Sequence, residues 1–296
     1  MKCFYHNDAD GKCSGFWVCL GAGLTRLDHD CEFIEMTHTK PFPMESIRKD
    51  EQIYIVDYSI SPDEMRQLLT ITKDVTWIDH HKTAIDKYKD FEHDIRGVRY
   101  DGIAACMLTY CYIYHMTDRG QGEIKPFNIA MTEDAPMFTK LIADWDVWKF
   151  DYGDSTRAFI TAFNAYDFDP CNSDNWHRLL SNSENDPSDA MIEEGKTMLK
   201  FRNGWAKDYM KLGFETIFEG LNCYAVNLGH CNSEYFNSLP AGKYDVFMPF
   251  VFDGEMYSVS MYSTEADVSN IAKKYGGGGH MKAAGFQCKT LPFVKK

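Results

Sequence analysis

Val75-Thr76-Trp77-Ile78-Asp79-His80-His81 joins a short run of branched and aromatic residues to three side chains that bind metal ions well. The run predicts a β-strand, so the Asp-His-His triplet stands at a strand's carboxyl end. The pattern occurs twice upstream. Cys3-Phe4-Tyr5 leads into His6-Asn7-Asp8-Ala9-Asp10-Gly11, and Ile53-Tyr54-Ile55-Val56 leads into Asp57. In an open parallel sheet, ligands bind outside the carboxyl ends of the strands. Three strand ends would therefore aim carboxylates and imidazoles at one crevice.

Carboxylates with a minority of imidazoles form a fairly hard ligand set, which favours manganese over magnesium, cobalt or zinc. A phosphate ester resists nucleophiles because its own negative charge repels them. Two divalent ions roughly 3.5–4 Å apart offset this by supplying a nucleophile at neutral pH and clamping the phosphoryl oxygens, and they need a bridging carboxylate. Asp57 suits that role, and a dinuclear manganese centre is expected.

These residues resemble the motifs of the DHH phosphoesterase superfamily, and the resemblance runs along nearly the whole chain. The first motif resembles His6-x-Asp8-x-Asp10-Gly11, the second Asp57, the third Asp79-His80-His81, and the fourth Asp144 within Ile142-Ala143-Asp144-Trp145-Asp146. Downstream, Gly276-Gly277-Gly278-Gly279-His280-Met281-Lys282-Ala283-Ala284-Gly285-Phe286 resembles the glycine-rich signature of the DHH-associated domain. The first motif and the modest length are most similar to the branch of NrnB-type oligoribonucleases and cyclic-nucleotide phosphodiesterases.

The resemblance implies His6, Asp8 and Asp10 as metal ligands, Asp57 as the bridge, His80 as a ligand to the second ion and Asp144 as the closing carboxylate, with Asp146 as its substitute. His81 would face the substrate phosphate, and Asp79 would orient a histidine by accepting its ring N–H. Gly277, Gly278, Gly279, His280 and Lys282 would bind the nucleotide, backbone N–H groups of the glycine loop approaching an anion closely. Many relatives carry arginine where Tyr262 stands; a hydroxyl replaces a bidentate donor there, and Lys282 is placed to compensate. Trp145, Trp148, Tyr152 and Phe159 read as core residues rather than base-stacking platforms.

The chain has 296 residues, 44% hydrophobic and 25% charged, the mixture of a folded protein large enough for two domains. Lys plus Arg number 31 against 44 Asp plus Glu, a formal charge of −13. That balance opposes tracking along a long polyanion or duplex and suits short RNA or small nucleotides. The ten cysteines are scattered without a C-x-x-C pair and read as reduced core residues. Neither a signal-peptide core nor an apolar run of membrane-spanning length is found, so a cytoplasmic protein without a membrane partner is expected. The oligomeric state, a dimer included, is left open.

Strand-type runs alternating with helical patterns predict an α/β fold: a parallel-sheet N-terminal domain, a long connector helix and a smaller α/β C-terminal domain, with the active site in the cleft between them. Ser61-Pro62-Asp63-Glu64 is a helix start. Residues 102–115, 135–148 and 156–168 read as helices. Polar residues 169–186 suggest a boundary, giving domains 1–185 and 214–296 around a connector 186–213. Asp253-Gly254 marks a hairpin between strands 246–252 and 256–262, and residues 267–275 read as a helix before the glycine loop. The expected activity is metal-dependent hydrolysis of short oligoribonucleotides to mononucleotides. Alternatives are a cyclic mono- or dinucleotide phosphodiesterase, a bisphosphorylated-nucleoside phosphatase, and a catalytically inactive nucleotide-binding regulator.

Overall fold

The computed structural model describes residues 1–23, 31–37, 40–117, 125–171, 173–181 and 186–296. The chain forms two compact units, Met1–Leu199 and Lys200–Lys296. In chain order the first contains β1 (Lys2–His6), α1 (Ala9–Gly21), β2 (Glu32–Met36), β3 (Ile53–Val56), α2 (Pro62–Ile71), β4 (Val75–Ile78), α3 (Lys82–Lys87), α4 (Ala105–Cys111), α5 (Met137–Asp146), α6 (Asp154–Phe163) and α7 (Ser173–Leu180). The long helix α8 (Pro187–Tyr209) contains the division between the units. Residue 185, where composition suggests a boundary, lies outside the described residues, as do 172 and 182–184 of that polar stretch.

The four strands are parallel in the order β2-β1-β3-β4. Every residue of β3 and β4 is buried, because helices cover both faces of the sheet, and continuous apolar runs are what such strands require. Ile53, Ile55, Val75 and Trp77 pack with Met65, Leu68 and Leu69 of α2. On the other face Cys3, Tyr5, Tyr54, Val56 and Ile78 meet Val18, Leu108, Tyr112 and Ile113. Helix α2 starts at Ser61, whose hydroxyl accepts from the Glu64 N–H while the Glu64 carboxylate accepts from the Ser61 N–H.

The helix expected over 102–115 begins later and ends differently. Gly102 has φ +92°, α4 starts at Ala105, and residues Tyr112–Met116 form a π-helical turn. All seven residues of α4 are buried, as its uniform apolarity requires. Helix α5 stops at Asp146 because Trp148 and Phe150 adopt left-handed backbone. Helix α6 starts at Asp154, earlier than expected, and stops at Phe163.

The second unit continues from α8 through a 3₁₀ turn, Met210–Leu212, into β5 (Phe214–Phe218), β6 (Leu221–Asn227), β7 (Val246–Phe252), β8 (Tyr257–Tyr262), α9 (Val268–Lys274), β9 (Gly278–His280) and β10 (Ala283–Cys288). Its mixed sheet has the order β5-β6-β7-β8-β10-β9, with β6 and β7 parallel and the other pairs antiparallel. The turn after β7 is closed by Asp253, whose carboxylate accepts from the N–H groups of Glu255 and Met256.

Candidate metal centre

The sheet order reverses between β1 and β3, which places the ligand crevice at their carboxyl ends. His6 closes β1, Asp57 follows β3, and Asp79, His80 and His81 follow β4. Asp8 caps α1 by accepting from the Gly11 N–H at 2.9 Å. Glycine is required at position 11, since a Cβ there would lie 2.1 Å from the His6 carbonyl oxygen. The missing side chain lets α1 start directly against β1 and keeps Asp8 and Asp10 beside His6.

The two oxygens of Asp57 face different partners. Oδ2 lies 3.7 Å from His6 Nδ1, which is 2.6 Å from Asp8 Oδ2. Oδ1 lies 3.4 Å from His80 Nε2, which in turn is 3.7 Å from Asp10 Oδ2 and 3.3 Å from Asp146 Oδ2. His6, Asp8 and Asp57 thus form one potential ligand group and Asp10, His80 and Asp146 another, with Asp57 reaching both. Ligand atoms bound at about 2.1 Å to one divalent ion sit roughly 3–4 Å apart, and the spacings of 3.3–3.7 Å match that requirement, while His6 and Asp8 lie at hydrogen-bond distance.

Buried polar atoms without a hydrogen-bond partner concentrate here. Among the described residues they include both Asp57 oxygens, His80 Nε2 and Asp146 Oδ2. Buried polar groups are almost always satisfied, so this convergence fits cations. Burial, then the neighbouring carboxylates of Asp10, Asp8, Asp146 and Asp79, push the Asp57 carboxyl far above the usual range. Burial and the Asp10, Asp8 and Asp79 carboxylates raise Asp146 likewise. For Asp8, burial acts upward but is outweighed by the hydrogen bond with His6, the His6 charge and the Gly11 N–H together, which bring it down to about 2. His6 is raised: burial opposes its charge, and Asp8 outweighs burial.

Asp10 accepts from the N–H groups of Ala105 and Cys106, each at 2.8 Å, and so caps α4 while facing His80. Asp79 is fully buried; its Oδ1 accepts from the backbone N–H groups of His80 and His81 and lies 2.8 Å from His81 Nδ1. That hydrogen bond raises the His81 pKa. His81 Nδ1 is also 3.9 Å from Asp57 Oδ1.

Asp144 is not brought into the cluster. Its carboxylate accepts from the N–H groups of Asp151 and Tyr152 and from the Thr156 hydroxyl, and Asp146 stands beside His80 instead. Spacing in the sequence does not distinguish two aspartates in the last turn of one helix.

In the second unit the glycine segment is not an open loop. Gly276, at φ +79°, ends α9, donating to the Lys273 carbonyl, while Gly277 donates to that of Ala272. Gly278, Gly279 and His280 form the edge strand β9 paired with β10. A Cβ on Gly277 would lie 2.0 Å from the Gly285 oxygen. Of the three glycines expected to approach the nucleotide, Gly277 therefore spends its N–H on a helix end. His280 and Lys282 are exposed, whereas the Tyr262 hydroxyl donates to the Cys231 carbonyl at 2.8 Å.

No family model matches the sequence. An uncharacterised protein of Acanthamoeba polyphaga mimivirus is 26% identical over 83% of this chain, which spans 56% of that relative. Oligoribonuclease NrnB of Bacillus subtilis is 26% identical over 95% of this chain and 71% of its own length. Among solved structures, the pGpG-specific phosphodiesterase PggH of Vibrio cholerae aligns with a TM-score of 0.49 at 11% identity, over 97% of this chain and 93% of that one. With the Asp-His-His triplet and its companion motifs on the strand ends of a parallel sheet, and a 26% identical relative aligned over 95% of the chain, the chain is similar to the DHH phosphoesterase superfamily.

Proposed function

We propose that this protein hydrolyses short oligoribonucleotides to mononucleotides with a pair of divalent ions, manganese being preferred. The observation that carries the reading is the Asp57 carboxylate, buried, its two oxygens without a hydrogen-bond partner among the described residues and turned toward separate ligand groups. His6 and Asp8 would hold one ion and Asp10, His80 and Asp146 the other, Asp57 bridging them. The ions would supply Lewis acidity and a nucleophile at neutral pH.

The protein's own groups hold and orient. Asp79 fixes the His81 ring through Nδ1, and its charge favours the imidazolium, so that Nε2–H becomes a cationic donor for a phosphoryl oxygen. Asp10, anchored by two backbone N–H groups, resists displacement when the cluster fills. Nucleotide recognition is assigned to the second unit through His280 and Lys282. Similarity to NrnB and the charge of −13 support short RNA as substrate.

The test is one panel with manganese: dinucleotides, longer RNA and DNA, cyclic nucleotides and bisphosphorylated nucleosides. Di- to pentaribonucleotides should be cleaved with the highest kcat/KM. Preference for a cyclic or bisphosphorylated nucleotide would replace this substrate assignment. Binding without turnover in a fully manganese-loaded protein would point to a regulator.

A further inference from the structure

The segment following Asp146 contains bulky residues in a backbone conformation they rarely adopt. Trp148 has φ +57° and Phe150 φ +58°. For large side chains the left-handed region is a true outlier, and it persists only where surrounding structure over-determines it. Here that structure is Asp144. Its carbonyl accepts from the Lys149 N–H at 3.1 Å, and its carboxylate accepts from Asp151 N at 2.7 Å, Tyr152 N at 3.3 Å and the Thr156 hydroxyl. One buried aspartate thereby ties both ends of the loop to α5 and α6.

The effect is to hold an indole outward. Trp148 is 49% exposed, although tryptophan is usually well buried. It is backed by Trp145 and Phe150, each with a ring centroid 4.8 Å away, and the Arg157 guanidinium sits 3.8 Å from the Phe150 centroid. These tilted and edge-on contacts back the indole while leaving part of its surface open. Trp148 is two residues from Asp146, whose carboxylate lies 3.3 Å from His80 Nε2, so its Cα stands within about 7.6 Å of that ligand's Cα.

We propose that Trp148 is a platform for a nucleobase flanking the scissile phosphate, and that Asp144 is the positioning residue that holds it there. The inference rests on the nucleotide-hydrolase reading and adds a recognition element within the first unit. A single-stranded substrate presents unstacked bases, and stacking on an aromatic ring tolerates any base because each has a π-face. This also gives Asp144 a function at the site without making it a metal ligand.

The experiment is calorimetric titration of the whole protein, with magnesium, using AMP and ribose 5-phosphate, which carries the same phosphate and no base. The parent should bind AMP at least about tenfold more tightly than ribose 5-phosphate. Trp148→Ala should bring that ratio close to one, and Trp148→Phe should restore most of it. Trp148→Leu supplies the same comparison if the alanine variant does not fold. Asp144→Asn should lower the ratio with bound manganese at the parental level. A ratio unaffected by Trp148→Ala or Trp148→Leu, or a parental ratio of one, overturns the platform; loss of manganese in Asp144→Asn overturns the positioning role. A protein that tells AMP from ribose 5-phosphate through Trp148 yet cleaves no short RNA leaves the platform standing and removes the oligoribonuclease reading.

Discussion

Asp57 carries the sharpest conflict in the chain between stability and function. It is 1% exposed, adopts φ +52° and crowds against other carboxylates. In the metal-free protein the raised Asp57 and Asp146 carboxyls hold protons that an unfolded chain releases near pH ~3.9, so stability falls as pH rises from about 4. The raised pKa values of His6 and His81 act in the same direction, since stabilisation present below about 6.5 is lost as pH climbs through their folded values. Asp8, at about 2, contributes stability that is lost only in stronger acid. Melting temperature in EDTA should therefore decline between pH 5 and pH 8, and manganese should remove the decline. Asp57→Asn should raise metal-free stability at pH 7.5 while abolishing manganese binding and turnover. Equal manganese content in this variant and the parent would refute the bridging assignment.

Among the elements, the glycine segment shows how one pattern serves two demands. Gly276 and Gly277 close α9, and the close approach of Gly277 to Gly285 leaves no room for a side chain. Gly278, by contrast, faces open space on the edge strand. Gly277→Ala should destabilise the protein by about 2–4 kcal/mol, as overpacking against backbone does, whereas Gly278→Ala should change stability by less than about 1 kcal/mol. Calorimetric unfolding of the two variants decides this. Similar losses from both would mean that the segment packs differently.

Over the entire chain, a net charge of −13 sets an expectation for the encounter with a polyanionic substrate. Each added phosphate meets a chain whose 31 Lys and Arg are outnumbered by 44 Asp and Glu, so kcat/KM should fall from two- to five-nucleotide RNA toward longer strands, more steeply at low salt. Competition kinetics at two ionic strengths measures this. Faster, processive degradation of long strands would contradict the short-substrate assignment. Among the described residues no helix is long and apolar enough to cross a membrane.

Strand ends are legible because a short branched run followed by Asp or His reveals itself in consecutive residues, and the parallel sheet follows from runs too apolar for a one-sided strand. The capping box at Ser61 and the Asp253-Gly254 hairpin are local in the same sense. What the tertiary structure decided depends on partners far apart in sequence. Asp144 rather than Asp146 turning to Thr156, Asp10 capping a helix that starts at Ala105, and Trp148 standing exposed while Phe159 is fully buried are set by how α4, α5 and α6 pack. Periodicity places a residue on a helix; only the neighbouring element determines whether its carboxylate meets a backbone N–H, a hydroxyl or a cluster of other charges.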